Sequence, residues 1–208
     1  TESELVSAME GSGAAYPLAR GPNPKNGALH ADTWVNLSWS PGDFAVSHDV
    51  YLGDILANVE NAMRDSDVFR GNQTSTMFLA GFPGYAYPNG LVPGTTYYWR
   101  IDEVNEADPN SPWKGPVWSF SIPPKTAYFP NPADGAEFVD PNNVTLSWTP
   151  GFGAILHTAF LGDDFDDVRD ATEGIPRGTA TYSPGPLERE KVYYWRVDEF
   201  DGAETHKG

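Results

Sequence analysis

The chain contains no cysteine. A disulfide framework, a thiolate nucleophile and Cys-ligated zinc are therefore excluded. Basic residues are scarce: 13 Lys and Arg stand against 29 Asp and Glu, for a net charge of −16. An acidic surface of that size repels phosphate, which argues against nucleic-acid partners and anionic membranes. No apolar run approaches the roughly 20 residues of a membrane helix, so membrane insertion is not expected. The opening residues Thr1-Glu2-Ser3-Glu4 are acidic where an export signal has a basic region. Export is then either absent or directed by a signal outside this chain. Enzyme motifs are lacking too. No Gly-x-Ser-x-Gly elbow, His-Glu-x-x-His pair, phosphate-binding loop or dinucleotide fingerprint occurs.

Backbone punctuation is abundant instead. The 21 Gly and 19 Pro among 208 residues exceed the usual combined share of about 12%. Aromatics reach 13%, which argues against disorder. Turn residues and aromatics in these amounts point to short strands joined by turns.

The chain repeats itself. Pro22-Asn23-Pro24-Lys25-Asn26-Gly27-Ala28 recurs as Pro130-Asn131-Pro132-Ala133-Asp134-Gly135-Ala136. Val35-Asn36-Leu37-Ser38-Trp39-Ser40-Pro41-Gly42 recurs as Val144-Thr145-Leu146-Ser147-Trp148-Thr149-Pro150-Gly151, and the same offset carries His48 onto His157. Tyr97-Tyr98-Trp99-Arg100-Ile101-Asp102-Glu103 recurs as Tyr193-Tyr194-Trp195-Arg196-Val197-Asp198-Glu199 at a smaller offset. The first copy is longer between these blocks, and the extra residues are expected within Asn72–Gly90. A unit of roughly 100 residues is domain-sized, so the chain is a tandem of two modules. The expected division is a tail or linker at 1–18, module one at 19–122, a Pro-rich linker at 123–126 and module two at 127–208.

Alternation predicts strands at Val35–Trp39, Val46–Leu52, Tyr97–Asp102 and Val117–Ile122, and the second copy repeats the first three. Short helical turns are expected in Asp54–Met63 and Asp163–Thr172, with Val59 and Ala62, or Val168 and Ala171, three apart. Strands at this spacing with little helix indicate a sandwich. Leu91-Val92-Pro93-Gly94-Thr95-Thr96-Tyr97-Tyr98-Trp99-Arg100-Ile101 resembles the E–F corner and F strand of fibronectin type III domains. Leu37-Ser38-Trp39-Ser40-Pro41 resembles their B strand. The resemblance implies an all-β fold of two tandem fibronectin-III-like sandwiches. It also casts Tyr97 and Tyr193 as tyrosine-corner residues. Together with the blocks around His48 and Trp118, it is closest in kind to modules of large secreted bacterial proteins, often beside glycan-active domains. It implies non-catalytic spacer or adhesion units of an extracellular or cell-surface protein. The implied partners are neighbouring domains of the same parent protein, and a cell-surface protein or glycan. Module two departs from the pattern at Leu187–Val192, which lacks the Pro-Gly-Thr of the first corner.

The second copy reaches His206-Lys207-Gly208, the counterpart of Trp113-Lys114-Gly115, without a counterpart of the final strand. A fragment cut from a longer chain is the plain expectation. An assembly subunit completed by strand exchange is the alternative.

Candidate chemistry is thin. His48 and His157 alternate inward at equivalent positions, and duplication argues for a structural hydrogen bond. Asp163-Asp164-Phe165-Asp166-Asp167 is rich in the oxygen ligands calcium needs, yet it lacks a calcium loop's glycine and terminal glutamate. A solvated turn is the better reading. Asp102-Glu103 and Asp198-Glu199 invite structural calcium or, more simply, a surface ion pair with Arg100. No cofactor is otherwise expected. Trp39, Trp99, Trp118, Trp148 and Trp195 read as core. That leaves Trp34, Tyr85, Tyr87 and Trp113 as candidate glycan contacts, since exposed aromatic faces stack on sugar rings. A carbohydrate-binding accessory module is therefore a further alternative. Glycosylation triplets at Asn36, Asn72 and Asn143 carry little weight, two of them lying in predicted strands.

Overall fold

A computed structural model describes residues 15–208. Strands make up 38% of the described residues and helix 6%, so the fold is all-β. The described residues fall into two units, one ending at Ile122 and the other beginning at Pro123.

The first unit contains β1 (Arg20–Asn23), β2 (Ala28–Leu29), β3 (Val35–Ser40), β4 (Ser47–Gly53), α1 (Leu56–Glu60), β5 (Phe69–Gln73), β6 (Met77–Ala80), β7 (Thr96–Val104) and β8 (Val117–Ser121). One sheet has the order β1-β3-β6 and the other β2-β8-β7-β4-β5. Neighbours run antiparallel except β2 and β8, which are parallel. The four predicted strands are β3, β4, β7 and β8. Their inward residues build the core: Val35, Leu37 and Trp39 from one sheet, Tyr97, Trp99, Trp118 and Phe120 from the other. Trp99 and Trp118 lie with ring centroids 4.7 Å apart, and Tyr97 stacks on Phe120 at 5.6 Å.

Strand β4 breaks the simple alternation, because it is buried on both faces from His48 to Gly53. Helix α1 supplies the second cover. Its Val59 is fully buried and packs with Tyr51 and Ala62. A helix of five residues cannot stand in water by itself, so this one depends on the strands beneath it.

The second unit contains β9 (Tyr128–Asn131), β10 (Leu146–Thr149), β11 (Leu156–Gly162), α2 (Phe165–Asp170), β12 (Ile175–Arg177), β13 (Thr181–Tyr182), β14 (Tyr194–Phe200) and β15 (Thr205–His206). Its sheets have the orders β13-β10-β9 and β12-β11-β14-β15. Trp148, Ala159 and Val197 form the core. Among the described residues β14 has no neighbour equivalent to β8. Strand β15 meets it only at Glu199 and Phe200.

Both units begin the same way. Asp43 N–H donates to Tyr16 O at 2.9 Å, and Phe152 N–H donates to Pro124 O at 2.7 Å. The incoming backbone crosses so close to the following turn that a Cβ on Gly42 would sit 2.1 Å from Pro17 O. One on Gly151 would sit 2.1 Å from Lys125 O. Glycine is required at both turns for that reason. Of the segment read as a tail, residues 1–14 lie outside the described residues. Tyr16 and Pro17 dock on module one, and Pro124 and Lys125 dock likewise on module two.

The tyrosine corners are present in both units. Tyr97 Oη accepts from Val92 N–H at 2.9 Å, and Tyr193 Oη accepts from Glu188 N–H at 3.0 Å. Burial pushes the Tyr97 phenol above its ordinary range. Tyr97→Phe leaves the part-buried Val92 N–H without its acceptor and is expected to cost about 1–3 kcal/mol. Tyr193→Phe, at a more exposed corner, costs less. Denaturant unfolding of the two variants checks the order; equal losses would contradict it.

Candidate functional site

The duplicated run Arg-x-Asp-Glu sits at the centre of each module. Arg100 and Asp102 share one face of β7 and Glu103 takes the other, as strand alternation requires. Arg100 donates from Nε and Nη2 to the Asp102 carboxylate at 2.8 and 2.9 Å. Its Nη1 donates to Val59 O and Glu60 O at 2.6 and 2.7 Å, and Nη2 to Ala62 O at 2.9 Å. All five guanidinium donors are thereby used. The guanidinium also lies 4.3 Å from the centre of the Tyr51 ring. Asp102 Oδ1 accepts a further bond from Gly115 N–H at 3.1 Å.

This corrects the expectation of a surface ion pair: the two side chains are 1% and 8% exposed. Alternation places them on the face opposite the core, but α1 and the residues after it cover that face. Burial raises the Asp102 carboxyl above its ordinary range, against the pull of Arg100 and Gly115 N–H.

The second module repeats the arrangement. Arg196 donates to both Asp198 oxygens at 2.8 and 3.2 Å. It also donates to Val168 O at 2.7 Å, Arg169 O and Ala171 O at 2.9 Å. Phe160 takes the place of Tyr51, its ring centre 4.0 Å from the guanidinium. Gly208 N–H donates to Asp198 Oδ1 at 3.1 Å, as Gly115 does to Asp102.

The glutamates tie the other face. His48 Nδ1 hydrogen-bonds the Glu103 carboxylate, whose Oε1 also accepts from Gly42 N–H at 3.0 Å. Trp39 meets the His48 ring edge-on at 5.3 Å. His157, Glu199 and Trp148 repeat the group except for the turn amide, since Glu199 Oε1 has no partner among the described residues. The duplicated histidines thus make the structural hydrogen bond their duplication suggested. Such a dyad also occurs in catalytic sites, but this one adjoins an indole and a turn amide and no nucleophile. His48 is 3% exposed and Glu103 is fully buried, so a substrate cannot reach them.

The four candidate glycan contacts do not converge. Trp34 is exposed and lies against Phe82 at 5.3 Å. Tyr85 is 55% exposed and borders a shallow apolar groove with Asn36, Gln73, Met77 and Leu79. Tyr87 turns inward, edge-on to Tyr97 at 5.1 Å and beneath the Arg70 guanidinium at 5.4 Å. Burial raises its phenol. Trp113 lies at the opposite end of β3, bonded through its backbone to Glu103 and packed on Phe44 at 6.0 Å.

The acidic cluster is consumed locally. Asp164 caps α2 by accepting from Asp167 N–H at 3.0 Å. Asp166 and Asp170 pair with Arg169, and Asp163 pairs with Lys191, which holds the Asp163 carboxyl below its ordinary range. Among the described residues no group of three or more His, Asp or Glu side chains is arranged to hold a metal. The calcium candidates Asp102-Glu103 are engaged by Arg100, Gly115, His48 and Gly42.

Asp102→Ala leaves the Arg100 charge buried without its partner. Loss of one member of a buried pair costs about 3–5 kcal/mol. Asp198→Ala costs less, because the Asp198 side chain is 13% exposed. Chemical denaturation followed by tryptophan fluorescence measures both, and wild-type stability in Asp102→Ala would refute the role given to the pair.

No family model matches the chain, and no curated protein matches it. Among solved structures the chain is similar to the FN1–FN3 domains of chicken CNTN1, at 12% identity and a TM-score of 0.31. That match covers 94% of this chain, which spans 64% of the CNTN1 chain. It is also similar to a two-domain fibronectin type III segment of chicken tenascin, at 14% identity and a TM-score of 0.31. There the match covers 92% of this chain and 97% of the other.

Proposed function

We propose that the chain is a non-catalytic pair of structural or adhesion modules, serving as a spacer within a larger extracellular protein. The observation that carries this reading is the duplicated network. The buried groups that resemble acid–base machinery, His48 with Glu103 and His157 with Glu199, are committed to holding strands together in both modules. Catalytic centres need reach to a substrate, and these have none. The extracellular setting rests on the sequence resemblance to secreted modules. Neighbouring domains of the parent protein are the first partners, and the net charge of −16 disfavours phosphate-rich ones.

A spacer must resist pulling. Single-molecule extension of the 208-residue chain is expected to show two separate unfolding events, one per module. The first module is expected to yield last, because β7 pairs with β4 over Tyr98–Val104 and with β8 over Thr96–Arg100. Extension without a force barrier would sink the reading.

One observation favours a second reading, carbohydrate binding. Tyr85 presents an exposed ring beside the Asn36 and Gln73 amides on the apolar groove of module one. Affinity electrophoresis in polysaccharide-containing gels tests it. Retardation that Tyr85→Ala abolishes supports glycan binding; unchanged mobility across a polysaccharide panel removes it. Tyr87→Ala is unsuited to this test, because Tyr87 packs inside the module.

A further inference from the structure

The chain holds two Asn-Gly pairs, Asn26-Gly27 and Asn89-Gly90. Such a pair can close a ring on itself. The glycine nitrogen, once hydroxide has taken its proton, attacks Cγ of the preceding side chain. Glycine has no Cβ to obstruct that approach. The ring closes only where the side-chain amide is free to turn and the glycine N–H is free to ionise.

The fold pins the first pair. Asn26 Oδ1 accepts from Ser119 N–H at 2.9 Å and from the Ser119 hydroxyl at 3.3 Å. Gly27 N–H donates to Ser119 O at 2.8 Å. Both reacting groups are thus tied to β8, and cyclisation requires Asn26 to leave that strand.

The second pair differs. Asn89 is exposed, at the third position of the turn Tyr87–Gly90, which Gly90 N–H closes by donating to Tyr87 O at 3.0 Å. Among the described residues nothing holds the Asn89 amide as Ser119 holds that of Asn26. Opening the single turn bond frees the Gly90 nitrogen without parting any strand. The turn is nevertheless clamped at its ends. Tyr87 packs edge-on to Tyr97 at 5.1 Å. Leu91 is 2% exposed, and its N–H donates to Thr33 O at 2.7 Å.

We propose that Asn89 is a self-modification site of module one, deamidating through a succinimide while Asn26 is preserved. The bond from the Gly90 nitrogen to Asn89 Cγ forms and the Cγ–Nδ2 bond breaks. Nδ2 leaves as ammonia with a proton from water, which restores the hydroxide. A second water opens the ring. Attack at Cγ gives aspartate, and attack at the former main-chain carbonyl of Asn89 gives isoaspartate. No oxidant or reductant takes part. Either product adds a negative charge beside the aromatic loop. Isoaspartate also lengthens the main chain by a methylene between the two clamps, so the contact of Tyr87 with Tyr97 must yield. This goes beyond the spacer reading, because module one acquires a lasting change that needs no partner.

The 208-residue chain is kept in mildly alkaline buffer at body temperature, and peptide mapping by mass spectrometry follows both sites. Deamidation is expected to run at least about tenfold faster at Asn89, because Asn26 and Gly27 must first give up three hydrogen bonds. In urea that unfolds the chain the two sites are expected to react alike. An intact Asn89 in the folded chain, an Asn26 that keeps pace with it, or a gap that persists in urea overturns the inference. The purified isoaspartyl form is expected to unfold at a lower denaturant concentration than the fresh chain. An equal midpoint would refute the yielding of the loop.

Discussion

The buried guanidinium of Arg100, and its twin Arg196, is the tie on which each module depends. The last carbonyls of a helix lack partners within it. Arg100 satisfies those of α1 from the neighbouring sheet, and a cation at that end also suits the helix dipole. A five-residue helix is thereby held over β4, closing a second small core around Tyr51 and Val59. The charge can leave water only because Asp102 neutralises it and every donor is used. Desolvation offsets much of the attraction, so the pair serves to fix the arrangement more than to add stability.

Glu103 extends the tie to the other layer. One residue beyond Asp102, it faces the core, binds His48 on β4 and accepts from the Gly42 turn that leaves β3. Three residues within a run of four thus anchor the helix, the adjacent strand and the opposite sheet. A slip of one residue in the β4–β7 register would put Glu103 on the wrong face. His48 opposite Glu103 therefore defines the pairing, and His157 opposite Glu199 defines it again.

Strands with strong alternation were legible in the sequence, as were the repeat, the corner tyrosines and the inward histidines. Each rests on local pattern. Strand β5 was not legible, because Phe69-Arg70-Gly71-Asn72-Gln73 offers one apolar residue and takes its conformation from pairing with β4. The burial of Arg100 and Asp102 was hidden for a different reason. Period-two reading assumes that a sheet has one wet face, and here a short helix covers it. Arg-x-Asp-Glu occurring twice was the available signal, since solvent-facing residues rarely need to repeat so closely. Tyr87 could not be separated from Tyr85 by composition; a backbone at φ 57 turns it inward while its neighbour stays exposed.

What the two modules share is scaffold, and what distinguishes them lies outside it. The arginine tie, the histidine–glutamate bond, the glycine turns and the tyrosine corners coincide in both copies. They meet the same problem, which is to hold a small sandwich together without a disulfide. One feature does not coincide. Module one carries the aromatic loop that sets Tyr85 beside an apolar groove. The shared network does not require it and closes without it: Tyr87, the other tyrosine of that loop, packs on Tyr97 while Tyr85 stays at the surface.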